Sequence, residues 1–195
     1  MKKSKTSIQT QTKTPPRGVR PTHFKNEFRN KDSVLAIDPG FDRVGVAVVQ
    51  KDGAKEKILF SKCILTNKKE SQSNRLKQIG LEIKKIIKSE KPGCLAIEKL
   101  FFNQNTTTAL RVAEARGVIM YEAVCAGLKV FEYSPQEIKI AVTGYGKAGK
   151  KDVEMMTIRL LSLKTTPKYD DEVDALALGI THLVSYRHKS RLSTD

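Results

Sequence analysis

With 195 residues, 39% of them hydrophobic, the chain has enough material for one compact domain with a true core and a modest extension. No apolar run approaches the ~20 residues of a membrane-spanning helix, and none follows the basic N-terminus, so neither an anchor nor a secretory signal is indicated and a cytoplasmic protein is expected. The 36 Lys and Arg outnumber the 21 Asp and Glu, and the net charge of +15 favours a polyanionic partner without choosing between DNA, RNA and an acidic membrane.

Residues 1–31 are rich in Lys, Thr, Gln and Pro, and Pro15, Pro16 and Pro21 break any period, so this segment reads as a disordered basic arm. Residues 1–32 hold six Lys and three Arg against Glu27 and Asp32, a charge of +7, which leaves +8 for the remainder. The positive excess is therefore not confined to the arm. The domain proper is expected over 32–187, with a short basic tail at 188–195.

The apolar run Val34–Ile37 predicts a buried strand ending at Asp38-Pro39-Gly40. Val44–Val49 predicts its hairpin partner, and residues 57–66 a third strand of an antiparallel meander. The period then changes. Leu76, Ile79, Ile83, Ile86 and Ile87 recur at helical spacing, which predicts a helix over 70–90, stopped by Lys91-Pro92-Gly93. Cys94–Ile97 is a short strand that ends on Glu98. A second helix is expected over 105–126, with Leu110, Ala113, Gly117, Tyr121 and Val124 on one face and Gly127 as its cap. Residues 129–133 give a fifth strand. Helices follow over 135–142, 149–163 and 170–186, with Gly144-Tyr145-Gly146 as a break. The order βββαβαβααα implies an α/β fold, a five-stranded mixed sheet flanked by helices. Cys63, Cys94 and Cys125 are odd in number and far apart, which suits small buried hydrophobes and not a disulfide or zinc framework.

Four carboxylates stand out. Asp38 and Glu98 each end an apolar strand, where ligands of an α/β sheet usually bind, although Asp38 also suits a tight turn. An acid between apolar runs, as at Glu98, is costly to bury unless it is paired or binds metal. Asp171 and Asp174 lie three apart, on one face of the last helix. Asp170, Asp171 and Glu172 also fit an acidic first turn favoured by the helix dipole, but Asp174 falls inside the apolar stripe. Such a set suits hard divalent cations, which prefer oxygen ligands, and two ions ~4 Å apart assist in-line phosphodiester displacement.

Five segments, Leu35–Gly40, Ala96–Phe102, Ala115-Arg116-Gly117, Gly144–Lys150 and Asp171–Ala177, resemble the RuvC-type crossover junction endodeoxyribonucleases in order and spacing, over roughly residues 33–185. The resemblance implies an RNase H-like fold and a homodimer that nicks four-way DNA junctions in pairs with Mg²⁺, two ions per site, for which Mn²⁺ can stand in. It places Asp38, Glu98, Asp171 and Asp174 at the positions of the family's catalytic, metal-binding acids, and leaves Asp42 and Asp170 outside that set. It also implies that Phe101 stacks on an unpaired base near the crossover, that Lys139 and Lys150 hold the scissile phosphate, that Lys147 adds a backbone contact, and that a branch-migration motor is a further partner. The basic arm departs from the family pattern, and His182 and His188 need no role. Small residues Ala109, Ala113, Ala115 and Gly117 make the second helix the expected dimer interface, unless they serve packing on the sheet. Three other readings stand beside this one: a nuclease for RNA-containing substrates, a junction-binding protein without catalysis, and an actin-like phosphotransferase, which would need glycine-rich loops that the sequence lacks.

Overall fold

A computed structural model describes the backbone of residues 30–100 and 106–192, and the side chains of 30–100 and 108–186. Most of the basic arm, Phe101 and the last three residues lie outside these ranges. The elements follow the expected order: β1 (Asn30–Asp38), β2 (Arg43–Asp52), β3 (Lys55–Leu65), α1 (Gln72–Glu90), β4 (Pro92–Glu98), α2 (Thr106–Cys125), β5 (Lys129–Tyr133), α3 (Pro135–Thr143), α4 (Lys150–Leu160) and α5 (Asp170–Leu192). Helix α5 is longer than its apolar period, which fades near residue 186.

Local chemistry sets the boundaries. Ser71 caps α1 by accepting from the Asn74 N–H, and Lys91 ends it in the left-handed region at φ 49°. Ser134 and Glu137 form a reciprocal capping box on α3, with Pro135 in its first turn and left-handed Gly144 at its end.

The sheet order is β3-β2-β1-β4-β5. Strands β1, β2 and β3 pair antiparallel, while β1–β4 and β4–β5 are parallel. The mixed sheet therefore buries its central strands on both faces. On one face Leu35, Ile37, Val46, Val48, Leu95 and Ile97 pack against α1 and α2 through Ile79, Ile83, Ala115 and Ile119. On the other, Val34, Ala36, Ala47, Val49 and Ala96 meet α5, with α3 and α4 outside it. Helix α5 is thus sandwiched, which explains why Val173, Ala175–Leu178 and Ile180 are all buried.

One expectation needs correction, and one open alternative is decided. Cys125 is exposed at the end of α2, so it is no buried hydrophobe, whereas Cys63 and Cys94 are half-buried. The face of α2 carrying Leu110, Tyr121 and Val124 is exposed, at 64%, 67% and 59%, and Ala115, Ile119 and Ala123 on the other side make the core contact. Ala115 therefore packs on the sheet and is unavailable to a partner. No helix among the described residues is long and apolar enough to cross a membrane.

Candidate active site

Strand alternation decides which acids can meet. Residues 34, 36 and 38 of β1 and 94, 96 and 98 of β4 point to the α5 side of the sheet. Because β1 and β4 are parallel neighbours in the register Ala36↔Ala96 and Ile37↔Ile97, Asp38 and Glu98 emerge side by side at the same end. Across the other ladder Asp38 faces Gly45 of β2. A Cβ at Gly45 would overlap the Asp171 carbonyl and come 3.3 Å from the Asp171 Cα, so only glycine lets the first turn of α5 seat there. Further along, Gly179 of α5 rests against Val49 and Ala36 in the same way. Small residues from both partners thus bring the helix that carries Asp171 and Asp174 down beside the two strand ends.

The electrostatics record this crowding. Burial first, then the charges of Glu98, Asp174 and Asp171, hold the Asp38 carboxyl well above the usual range, with Lys150 opposing. Burial and Asp174 push Glu98 up to about 7. Asp174 and Asp171 are also raised, chiefly by burial. Four carboxyls raised by burial, with Asp38 raised further by the other three, are an incomplete arrangement, one that positive charge relieves.

Two side chains of the chain supply part of that charge. Lys150 Nζ lies 2.8 Å from Asp170 Oδ2 and 3.2 Å from Asp174 Oδ2. Arg43 reaches Asp170 Oδ1 at 3.2 Å through Nη2 and Asp171 Oδ2 at 2.8 Å through Nε. The second contact is not aligned for donation, and the buried Asp171 Oδ2 has no hydrogen-bond partner among the described residues. Among the described residues no three His, Cys, Asp or Glu side chains are already gathered around a metal-sized point. The donor set nonetheless fits a hard cation: all oxygen, mutually repelling, and with one oxygen left over.

A cleft of about 200 Å³ opens beside these acids, lined by Glu98, Asp174, Lys139, Lys150 and the apolar Pro135, Ile138, Val153 and Ala177. Two of the lysines expected to meet phosphate, Lys139 and Lys150, therefore share it with two of the acids. Lys147 is exposed in the loop between α3 and α4 and does not line the cleft.

Sequence reasoning missed several residues. Arg75, buried in α1, donates through Nη2 to the Phe41 carbonyl at 3.3 Å and the Thr66 hydroxyl at 2.7 Å, pairs with Asp42, and covers the Phe41 ring at 3.9 Å. It pins the loop between Asp38 and Arg43. Arg116 donates to the Glu98 carbonyl at 3.2 Å and pairs with Glu132 at 2.9 Å, fixing the chain where it leaves β4. His182, given no role, is buried between Cys94 Sγ at 3.2 Å and the Tyr133 hydroxyl at 2.9 Å, at the opposite end of the sheet.

The chain is similar to known proteins along most of its length. The family model described as crossover junction endodeoxyribonuclease RuvC matches residues 34–182. The crossover junction endodeoxyribonuclease RuvC of Halothermothrix orenii is 43% identical over 161 residues, covering 83% of this chain and 98% of its own. That of Brevibacillus brevis is 46% identical over 149 residues, covering 76% and 90%. The structure of Thermus thermophilus RuvC in complex with a Holliday junction substrate superposes with a TM-score of 0.77 at 31% identity, covering 81% of this chain and 96% of that one.

Proposed function

The chain belongs to the RuvC family of crossover junction endodeoxyribonucleases, with its RNase H-like fold, and from that premise we propose that it resolves four-way DNA junctions by paired, metal-dependent phosphodiester hydrolysis. The observation that carries the proposal is the convergence on Asp38 of Glu98, Asp171 and Asp174, acids spread over more than a hundred positions of sequence, inside a chain of net charge +15. The basic surface attracts the DNA backbone, and the acids provide a pocket for cations.

In this reading Asp38, Glu98, Asp171 and Asp174 hold the metal. When bound, two Mg²⁺ ions, for which Mn²⁺ can substitute, supply the positive charge that an in-line displacement at phosphorus requires. Lys139 and Lys150 orient the scissile phosphate from within the same cleft, and Ile138, Val153 and Ala177 exclude bulk water there. Phe101 stacks on an unpaired base at the crossover, and Lys147 makes a peripheral backbone contact.

Paired incision of a two-fold symmetric junction calls for two copies related by a two-fold axis. The exposed stripe Leu110, Gly117, Tyr121 and Val124 of α2 is the surface we assign to a second copy, since a Cβ at Gly117 would meet nothing within 4 Å among the described residues. A motor that moves the crossover is the natural further partner, and residues 1–31 extend the electrostatic grip on DNA.

The test compares a synthetic four-way junction with linear duplex and with an RNA–DNA hybrid, each with Mg²⁺ and with chelator. Asp38→Asn and Glu98→Gln are expected to bind the junction as tightly as the parent and to nick it at least a thousandfold more slowly, in keeping with rate losses of order 10³ when a charge-stabilising group is removed. Equal cutting of linear hybrid and junction would favour the RNA-directed reading, and persistent nicking by both variants would remove these acids from the chemistry.

A further inference from the structure

Asp170 lies outside the family's acid set, yet it is the meeting point of two cations from different elements. Its Oδ2 takes Lys150 from the first turn of α4, and its Oδ1 takes Arg43 from the start of β2. Each cation also touches a metal-binding acid, Lys150 reaching Asp174 and Arg43 reaching Asp171. The three acids differ in exposure: the Asp170 side chain is 47% exposed, against 31% for Asp174 and 18% for Asp171. Asp170 is therefore the outermost carboxylate and the least costly place for a protein cation to rest.

An ammonium or guanidinium competes with a divalent ion for the same carboxylate oxygens, and like charges cannot share them. A cation that is to act on phosphate must stay near the acids without lying on them. We propose that Asp170 is a positioning residue that retains Lys150 and Arg43 at the rim of the acid cluster when metal claims Asp174 and Asp171, the acids that these two cations also touch in the metal-free chain. The proposal rests on the nuclease reading above. The lysine is not removed from the site, only held at its outer edge, where it faces the same cleft as Lys139. Arg43, held likewise, keeps its place beside the loop that follows Asp38.

The test measures Mn²⁺ binding to the full chain without DNA, following free Mn²⁺ by electron paramagnetic resonance. The parent is expected to bind saturably and Asp38→Asn to lose that binding. Failure here would count against the acid cluster itself and so against the nuclease reading, independently of Asp170. Given that result, Asp170→Asn is expected to weaken binding about fivefold, the scale of one to two exposed ion pairs. In a chain carrying Lys150→Met and Arg43→Met the same change is expected to shift affinity less than about twofold, since no cation remains to be held. Asp170→Glu, which keeps the charge with a longer reach, is expected to restore most of the parent's affinity. An equal loss in both backgrounds would make Asp170 a through-space charge only. No loss in the parent background would overturn the proposal outright.

Discussion

Gly45→Ala probes how the site is assembled without touching any charged group. The new methyl would overlap the Asp171 carbonyl and lie 3.3 Å from the Asp171 Cα. To restore ordinary contact, the first turn of α5 must retreat by roughly 1.5 Å, since non-bonded heavy atoms settle near 3.5 Å. Overpacking of this kind costs about 1–3 kcal/mol, or a melting-temperature drop of roughly 3–10 °C for a chain of this size. The catalytic cost should be larger, because a displacement of about 1 Å in a reacting constellation costs on the order of a hundredfold. Single-turnover nicking of a junction at saturating Mg²⁺, beside junction binding in chelator, separates the two effects. Gly179→Ala is the control: its methyl meets the Val49 side chain at 2.7 Å, two turns further along α5, so it should cost similar stability but spare most of the nicking rate. Full-rate nicking by Gly45→Ala with an unshifted melting temperature would refute the close seating of α5 on β2.

Glu98 gives a pH prediction. Its folded carboxyl titrates at about 7, against an ordinary 4.5, so the folded chain holds that proton more tightly than the unfolded one. The associated stability is complete below about pH 4.5 and is lost as pH rises through about 7. Without metal, Glu98→Gln is therefore expected to melt higher than the parent at pH 8 and alongside it at pH 4, and identical melting at both values would contradict the crowding of the acids. Arg75→Met should cost about 2–3 kcal/mol by chemical denaturation, because it removes charge-assisted hydrogen bonds and a cation–π interaction. The cost is held down because the Phe41 carbonyl keeps the Thr66 hydroxyl at 2.8 Å and Asp42 keeps Lys68 at 3.0 Å. A loss under about 0.5 kcal/mol would deny Arg75 its hold on that loop. Removing residues 1–29 deletes five Lys and three Arg. It should weaken junction binding and flatten the salt dependence by about 0.9 in log–log slope for each phosphate that the arm neutralises. An unchanged slope would show that the arm does not touch the backbone.

The elements were legible because their signals are local. Alternation placed Asp38 and Glu98 at strand ends, and three-residue spacing put Asp171 and Asp174 on one helical face. Sheet order was only partly so: short turns gave the meander, but nothing in the sequence says that β4 lies beside β1 and not beside β3. That adjacency is what puts Glu98 next to Asp38. The side of α2 that meets the core was not legible for a related reason. Its apolar residues run most of the way around, so periodicity could not separate the stripe that packs, Ala115, Ile119 and Ala123, from the one left bare.

The cations were harder to read than the acids. A carboxylate among apolar residues is anomalous wherever it occurs, whereas Arg43 and Arg75 are two of 36 basic residues, and nothing local distinguishes them from solvated ones. Their significance lies in partners far along the chain: Arg43 meets acids at 170 and 171, and Arg75 meets the loop at 41 and 42. Asp170 was set aside as ordinary helix-dipole chemistry, a reading that remains true of its place in the first turn of α5. What the fold adds is that Lys150 and Arg43 converge on it from opposite sides. The sequence thus shows where negative charge is concentrated, and only the folded chain shows which of its own cations balance that charge before metal and DNA arrive.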